Sequence, residues 1–456
     1  MTELRRSLGF IDATMLVAGS MIGSGIFLVS AGMARDLHSA WWLLAAWVIT
    51  GLITVIAALS YGELAGMMPS AGGQFVYLRR AYGRLAAFVY GWTVFSVIQT
   101  GVIAAVAMAF ANYTSVFFPA LGTDKILLDL GGFKISAAQV FAMSSIVFLT
   151  FLNTLGVNFG KTLQTLFTSA KLLALFALII LGLWIGLPTG TLSANLALPT
   201  PPDAPTGFAF LSVLGVAMIG SLFSSDAWNN VTFIAGEIKN PQRNIPLSLL
   251  TGTVLVTGLY VLANIAYLAV LPMESIQNAP ADRVGTAAAA VIFGDTAVWL
   301  MAGLIMLSTF GCNNGIILAG ARLFYTMSQD GLFFKQAATL NSNAVPARAL
   351  WAQAVWACAL CLSGTYGDLL NYTTFASLLF YILTIGGLFV LRQREPDAPR
   401  PYKALGYPVL PIIYILVAGA ICVNLLIMQP KQAGMGLLIV LLGVPIFFLF
   451  EKMAKK

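Results

Sequence analysis

Charged side chains are scarce in this sequence. The chain has 456 residues, of which 9% are charged and 59% are hydrophobic. An average soluble domain carries about 25% charged residues, so this chain has too few to cover a water-facing surface. The composition excludes an ordinary soluble domain and predicts an integral membrane protein that lies in the lipid bilayer.

Histidine and cysteine are also rare. His38 is the only histidine, and the cysteines are Cys312, Cys358, Cys361 and Cys422. One histidine cannot complete a His-based zinc site or a catalytic triad. Cys358 and Cys361 have CxxC-like spacing, but no second pair accompanies them, which favours core packing over metal or redox chemistry. We therefore expect no enzyme activity, no metal site and no cofactor.

Long apolar runs, in contrast, fill the chain. A membrane-spanning helix needs roughly 20 predominantly apolar residues, and polar or Pro/Gly breaks divide the sequence into twelve such runs. An even number of spans puts both termini on one side of the membrane. The predicted spans are 10–34, 40–67, 85–112, 137–156, 160–187, 207–237, 246–271, 289–327, 347–363, 367–391, 406–428 and 432–451.

Basic residues are distributed unevenly between the loops. Most of the 24 Lys and Arg residues fall in segments that share a side with the N-terminus. Cytoplasmic loops carry an excess of Lys and Arg, so both termini are predicted to be cytoplasmic. This topology explains the net charge of +7 better than nucleic-acid binding does, and no nucleic-acid partner is expected.

Two spans contain clusters of small and polar residues. Span 1 reads AGSMIGSGIF over residues 18–27, and span 6 carries a second cluster from Gly220 to Asp226. Small residues allow close packing of membrane helices, which explains either cluster alone. Clusters in both halves favour interrupted helices that line a cavity, because unwound backbone is tolerated in a membrane only there.

The tetrapeptide Met-Ile-Gly-Ser occurs in both clusters, at residues 21–24 and 218–221. The offset equals five spans, and an odd-numbered repeat unit must be inverted in the membrane. Inverted repeats with interrupted helices in matching positions are typical of secondary transporters.

The two ends of a helix break suit a zwitterion. The free N–H groups carry a partial positive charge and the free C=O groups a partial negative charge. An amino acid carboxylate can therefore dock on the N–H groups near Ser24 and Gly25, while its ammonium binds carbonyl groups of the two breaks.

These stretches resemble motifs of a known family. AGSMIGSGIF is similar to the first-helix motif of the amino acid–polyamine–organocation superfamily. The segments from Tyr61 to Gly83 and from Phe223 to Pro246 resemble its L-type amino acid transporter family. The resemblance implies an all-α membrane fold of twelve helices, with a five-plus-five inverted repeat like that of the leucine transporter and discontinuous helices 1 and 6. It implies a transporter core over 1–391, with repeats at about 10–188 and 207–391, and two additional helices in 392–456.

The resemblance also implies particular site residues. Ser24 and Gly25 match the positions that bind the carboxylate, and the carbonyls of Met21, Phe223 and Asp226 match those that bind the ammonium. Phe223 falls where the family has an aromatic gate, and Asn229 at a polar position beside the site. The serines after Phe223 replace a small–aromatic pair, which predicts a roomier or more polar pocket. The expected substrate-binding set is Met21, Gly23, Ser24, Gly25, Phe223, Ser224, Asp226 and Asn229.

Lys171 lies deep in span 5. It follows Gly160 by about eleven residues, or roughly 16 Å of helix rise, which is long for a lysine that snorkels to the interface. It matches the family's span 5 lysine, which stands where sodium-coupled relatives bind a cation. Its expected partners are carbonyls near Ile22 and Gly23 and a hydroxyl in span 8. The expected gating and coupling residues are Phe223, Lys171, Ser308, Thr309 and Tyr267.

Three acidic residues have alternative interpretations. Asp226 can cap the second half of span 6, or it can face the site and bind the substrate ammonium or a dibasic side chain. Glu63 and Glu237 lie near the ends of spans 2 and 6, where pairing with loop arginines is favoured over proton transfer.

The resemblance thus implies a sodium-independent amino acid transporter, most readily an antiporter that exchanges neutral L-amino acids by alternating access. A proton-coupled importer is the near alternative, since Lys171 is ionisable. A channel is disfavoured because no ring of charges or tandem filter motif is present. Eukaryotic members of the family pair with a glycoprotein through a cysteine between spans 3 and 4. The corresponding loop, about 113–136, has no cysteine, so we expect no disulfide-linked heavy chain and a bacterial inner-membrane protein.

Overall fold

Helices dominate the computed structural model, which describes residues 6–129, 131, 134–199, 205–294, 297–362 and 366–454. Apolar spans favour this architecture, because backbone polar groups in lipid must find partners within the protein. One antiparallel hairpin, Ile126–Asp129 with Lys134–Ser136, lies outside the long helices. The α-helices are α1 (Phe10–Met21), α2 (Gly25–Leu37), α3 (Ala40–Met67), α4 (Gln74–Tyr82), α5 (Arg84–Thr93), α6 (Gln99–Phe117), α7 (Ala137–Thr154), α8 (Val157–Gly186), α9 (Thr191–Ala197), α10 (Gly207–Ser224), α11 (Asn230–Phe233), α12 (Pro241–Val270), α13 (Met273–Gln277), α14 (Val284–Phe293), α15 (Ala297–Gln329), α16 (Ala347–Cys361), α17 (Tyr366–Arg394), α18 (Val409–Met428) and α19 (Pro430–Ala454). The 3₁₀ helices are Pro119–Leu121, Leu187–Thr189, Ala235–Glu237, Pro280–Asp282 and Lys335–Ala338, and Val94–Ile98 is a π-helix between α5 and α6.

The described residues contain ten helical segments long and apolar enough to cross a membrane, and α1 with α2 forms an eleventh that bends by 41°. The all-α membrane fold is confirmed, whereas the predicted count of twelve is not. The ninth predicted span corresponds to α16, which has 15 residues; its expected end at residue 363 lies outside the described residues. The eighth is divided, because Gly294 adopts a φ of +77° and ends α14 before α15 begins.

Both predicted interruptions are present as breaks in helices. The first break comprises residues 22–24, between the end of α1 and the start of α2, and Ile22 has an extended backbone. The second comprises residues 225–229, between α10 and α11, and Ala227 has a φ of +64°. The repeated tetrapeptide does not mark equivalent points of the two breaks. Residues 21–24 fall at the first break, whereas residues 218–221 lie inside α10, one turn before the second.

The breaks lie among packed helices. α1 packs against α8, α12 and α15, while α10 packs against α2, α3 and α18. The surrounding helices therefore enclose the unwound backbone, which is the condition under which a membrane protein can keep it. We call the end of the molecule where α1 begins the N-terminal side, and the end where α2 finishes the far side.

Buried ion pairs hold the N-terminal side together. Arg322 of α15 donates to the carboxylate of Glu237 over 3.0 Å, and both side chains are fully buried. Glu63 of α3 accepts two hydrogen bonds from Arg392, at 2.9 and 2.5 Å, and Arg400 also lies within 3.2 Å of it. The favoured interpretation of both glutamates as ion-pair partners agrees with this geometry, although Arg322 and Arg392 lie in helices and only Arg400 lies in a loop.

Candidate substrate site at the two helix breaks

Side chains from other helices bind the carbonyl groups at the end of α1. The ammonium of Lys171, on α8, donates to the carbonyl oxygens of Gly19 and Ile22, the latter at 2.6 Å. Lys171 is 1% exposed, so its charge lies within the protein rather than at an interface. This position excludes the snorkelling alternative for the lysine.

α15 contributes two further donors to the same stretch of backbone. The hydroxyl of Ser308 donates to the carbonyls of Ile22 and Gly23, at 3.2 and 3.4 Å, and the thiol of Cys312 donates to the carbonyl of Ser20 at 3.0 Å. Ser308 and Lys171 therefore share the carbonyl of Ile22 as an acceptor. The end of α1 is unwound but supplied with hydrogen-bond donors.

Two other expected neighbours of Lys171 have different roles. The hydroxyl of Thr309 donates to carbonyls of its own helix, at Ile305 and Met306. The hydroxyl of Tyr267 is buried without a hydrogen-bond partner among the described residues. Neither hydroxyl is therefore a donor to the first break in this geometry.

Tyr260 of α12 connects the two breaks. Its hydroxyl lies 2.9 Å from the carbonyl oxygen of Met21 and 3.1 Å from that of Ser224. One phenol thus contacts the last residue of α1 and the last residue of α10. Its ring is 1% exposed and packs edge-on against Trp47, with 5.3 Å between the ring centroids.

The start of α2 lies directly against the end of α10. A side chain at Gly25 would meet Ser224, whose Cβ lies 2.8 Å from the point where a Cβ on Gly25 would be. Gly23 is similarly close to Cys312, whose sulfur would lie 3.2 Å from an added Cβ. Only glycine fits at position 25, because no larger residue leaves room for the backbone contact. This contact brings the N–H end of one half-helix to the C=O end of another.

Most of the expected substrate-binding residues surround this contact. Met21, Ser24, Phe223 and Ser224 are all buried, with Phe223 8% exposed. The hydroxyl of Ser224 donates to the carbonyl of Gly220 in its own helix, at 2.8 Å. The carbonyl of Phe223 accepts a hydrogen bond from the backbone N–H of Asp226. The backbone N–H of Ser225 donates to the same carbonyl.

The carboxylate of Asp226 faces α17. It accepts hydrogen bonds from the hydroxyls of Tyr381 and Ser377, the latter at 3.3 Å. The N-cap of α11 is Asn229, without a side-chain capping bond, so the carboxylate of Asp226 does not cap that helix. No basic side chain among the described residues forms an ion pair with Asp226.

Asn229 is tied to helices around the site. Its side-chain amide donates to Gln74 of α4 at 3.2 Å, and Gln74 donates to Thr384 of α17 at 2.9 Å. This chain joins the second break to two helices of the surrounding structure. Asn229 therefore has a structural contact beside the site, whatever it contributes to a ligand.

Sequence comparison places the chain in a family. The profile of the family described as amino acid permease matches residues 8–450. The chain belongs to the amino acid permease family. The resemblance to L-type amino acid transporters that the motifs predicted is confirmed by its relatives.

Three relatives of this permease align with 98% of its chain. The large neutral amino acids transporter small subunit 2 of Homo sapiens is 30% identical over 454 residues, which cover 80% of that protein. The b(0,+)-type amino acid transporter 1 of Mus musculus is 29% identical, with 88% of that protein covered. The Asc-type amino acid transporter 1 of Mus musculus is 29% identical, with 81% covered.

Cavities lie on both sides of the breaks in the permease. On the far side, a cavity of about 360 Å³ reaches Ile219 and Gly220, one turn before Phe223. On the other side of Phe223, two cavities of about 20 Å³ each flank Asp226. The wider opening therefore faces the far side.

The rings of Tyr61, Trp228 and Tyr381 pack together on the N-terminal side of the second break. Their centroids are separated by 4.8 to 5.9 Å. Together with the buried pair of Arg322 and Glu237, this packing fills the region between the breaks and the N-terminal side. The permease is thus closed toward that side.

Sequence reasoning missed four residues of the site: Tyr260, Cys312, Ser377 and Tyr381. Each lies in an apolar span at a position that a core residue would also occupy. An available signal was the Tyr260 hydroxyl itself, since a buried tyrosine usually needs a hydrogen-bond partner. Span 7 has two tyrosines, and the sequence predicts the role for Tyr267 rather than Tyr260.

Proposed function

We propose that this permease is a sodium-independent transporter that exchanges neutral L-amino acids by alternating access. The contact between Gly25 and Ser224 is the observation that carries the proposal. It sets the partial positive charge at the start of α2 beside the partial negative charge at the end of α10. The backbone can then bind the carboxylate and ammonium common to all α-amino acids.

In this proposal the N–H groups at Ser24 and Gly25 hold the substrate carboxylate. The carbonyls of Met21, Phe223 and Asp226 hold the ammonium. Phe223 covers the bound substrate as an aromatic gate, and Gly23 keeps the backbone accessible. Ser224 borders the space for the substrate side chain, and Asn229 holds the second break in position through Gln74.

Lys171 supports sodium independence. Its ammonium is a fixed cation that already bonds the carbonyls of the first break, so those oxygens need no sodium ion. Ser308 assists by binding the same carbonyls. The charge also connects α8 to α1, so movement of one helix must involve the other.

The distribution of basic residues indicates how the protein is oriented in its membrane. We propose a bacterial inner-membrane location with both termini in the cytoplasm, supported by the excess of basic residues on the N-terminal side. The far side is then external, and the described conformation opens outward. The cysteines all lie within helices, which supports function without a disulfide-linked heavy chain.

Flux measurements in proteoliposomes test the proposal. Vesicles loaded with unlabelled amino acids should take up labelled substrate at a rate that depends on the internal substrate. Sodium and proton gradients should leave this rate unchanged. Uptake into empty vesicles that follows a proton gradient would instead establish the alternative, a proton-coupled importer in which Lys171 releases its proton during the cycle.

Asp226 raises a second question about substrate class. A buried carboxylate without a basic partner among the described residues is costly unless hydrogen bonds or a cation compensate it. Tyr381 and Ser377 supply two such bonds, and a cationic substrate side chain would add a charge. Competition by arginine and lysine in the exchange assay distinguishes the two cases. Strong competition that disappears in Asp226→Asn would extend the substrates to dibasic amino acids.

A further inference from the structure

The far-side cavity lies outside the proposed substrate site. Its volume of about 360 Å³ falls within the range of small-molecule pockets, which is about 300–1,000 Å³. The residues that line it include Val29, Ile219 and Gly220. Within the described residues, its lining does not include Ser24, Gly25 or Phe223. The cavity is therefore separated from the breaks by one turn of α10.

Three charged side chains line the cavity: Asp36, Asp282 and Arg283. Asp36 of α2 and Arg283, which precedes α14, both face it. Within the part of the chain that the structure describes, neither forms an ion pair. The adjacent residues do: Arg35 binds Asp282 at 2.8 Å. An acid and a base that share a cavity without neutralising each other can each bind a group of opposite charge on a ligand.

The guanidinium of Arg283 is held in place by α6. It donates to the carbonyl oxygen of Asn112 at 3.3 Å, and it lies 5.2 Å from the centroid of the Tyr113 ring. These contacts fix the arginine without supplying an anion. Arginine remains charged at any physiological pH and binds carboxylates through paired N–H groups. The position is suited to an incoming carboxylate.

The loop that carries Arg283 is fixed as well. Arg35 donates to the carbonyl of Gln277 at 2.7 Å in addition to its bond with Asp282. The loop is thus attached to α2 by Arg35 and to α6 by Arg283. Both walls of the cavity are held at a defined separation.

The rest of the cavity surface is mainly apolar. Leu28, Met33 and Val216 form part of its walls, and Gly32 leaves space between them. A ligand that satisfies all these surfaces has an anionic group, a cationic group and an apolar side chain. Asn112 and Gln429 add amide groups at the edge.

We propose that this cavity binds a second zwitterionic amino acid with an apolar side chain. Arg283 binds its carboxylate and Asp36 binds its ammonium, one helical turn outside the breaks. The proposal rests on the proposed function for the class of ligand, since the same amino acids would pass through the cavity on the way to the central site.

Binding stoichiometry tests the second site. Purified full-length protein in lipid nanodiscs is titrated with each of the twenty L-amino acids in radiolabelled form. For the ligand that binds best, wild-type protein should bind two molecules per chain at saturation. Arg283→Gln and Asp36→Asn should each bind one.

Variants separate the two sites. Gly25→Val should empty the central site and leave one bound molecule, and Arg283→Lys should retain two. Lys431→Gln removes a base two residues beyond Gln429 that does not line the cavity, and this variant should also retain two. Elution of each variant as a single species from size exclusion controls for folding. In proteoliposomes, Arg283→Gln should raise the external half-saturation concentration by about tenfold relative to wild-type protein, as expected for loss of a charge-assisted hydrogen bond.

The outcomes distinguish this inference from the proposed function. A wild-type stoichiometry of one overturns the second site and leaves the exchanger proposal intact. Two molecules per chain in both Arg283→Gln and Asp36→Asn would place the second ligand elsewhere and also overturn it. Absence of binding for all twenty amino acids would contradict the proposed function itself.

Discussion

The Nζ atom of Lys171 lies 2.6 Å from the carbonyl oxygen of Ile22, at the first residue of the break between α1 and α2. The two residues are far apart in the chain, yet the contact sets a cation at the one place where the first span loses its own hydrogen bonds. Several consequences of this arrangement can be measured.

Lys171→Ala removes the charge that binds the first break. We expect the exchange rate in proteoliposomes to fall at least tenfold, because a hydrogen bond from a charged group contributes about 1.5–3 kcal/mol. Initial rates at equal amounts of reconstituted protein give the answer. Lys134→Ala, at an exposed lysine of the hairpin, is the control and should retain the wild-type rate. Equal rates for the two variants would remove Lys171 from the mechanism.

Tyr260→Phe deletes one hydroxyl that bonds both breaks. The hydroxyl shares its single proton between the two carbonyls, so the variant loses one hydrogen bond of about 0.5–1.5 kcal/mol and should bind substrate about two- to tenfold more weakly. Tyr267→Phe is the matched control, because it deletes a buried hydroxyl that has no partner among the described residues. Equilibrium binding of a transported amino acid compares the two variants. If they behave alike, the bridge between Met21 and Ser224 does not matter for binding.

Much of the architecture could be predicted because lipid imposes simple rules. The long apolar runs predicted where the helices lie, and the small residues at 19–25 predicted the first break. The second break was located only approximately, since Gly220 and Ser221 are small residues that pack within α10 rather than residues that unwind it. The packing of Gly220 against Val29 is the physical reason, and a sequence does not distinguish the two uses of glycine.

The residues that contact the helix breaks from distant parts of the chain were the hardest part of the site to predict. Tyr260 is 239 residues from Met21 in sequence, and nothing local distinguishes it from Tyr267. The two tyrosines lie on the same helix, two turns apart. Only the crossing of α12 with α1 decides which hydroxyl reaches the break. Lys171 was easier to recognise, because a charge within an apolar span is expensive and needs a specific explanation.

Gly25→Ala should weaken binding of every substrate by a similar factor. The added methyl group collides with Ser224 and separates α2 from α10, which affects the shared carboxylate and not the side chain. The inhibition constants of a series of neutral amino acids should therefore all rise by a similar factor. Gly419→Ala is the control, because an added Cβ there meets nothing within 4 Å.

Adding Ser224→Gly to Gly25→Ala tests whether the collision with Ser224 causes the loss of affinity. It removes the side chain that the new methyl group meets, so the double variant should regain part of the lost affinity. A loss confined to one substrate, or one that Ser224→Gly leaves unchanged, would show that Gly25 does not act through this contact.

Arg322→Leu should destabilise the protein strongly. The variant leaves Glu237 as a fully buried carboxylate without its ion-pair partner, and breaking a buried pair costs about 3–5 kcal/mol. The double variant with Glu237→Leu should recover much of the loss, because both charges are then absent. Thermal-denaturation midpoints of purified protein measure both effects.

An exposed pair provides the comparison for that experiment. Arg35 and Asp282 are 45% and 50% exposed, and such pairs contribute about 0–1 kcal/mol. Arg35→Gln should therefore change the midpoint little. A similar midpoint for Arg322→Leu and Arg35→Gln would mean that the buried pair does not hold the N-terminal side closed.

The hydroxyl of Tyr260 has a mechanical consequence. Its oxygen atom contacts the last carbonyl of α1 and the last carbonyl of α10. A tilt of one half-helix therefore displaces the other. The two halves of the molecule would then change conformation in one concerted step. Fluorescent reporters on α2 and on α11 should accordingly relax with the same time constant, and replacing Tyr260 with phenylalanine should separate them into two.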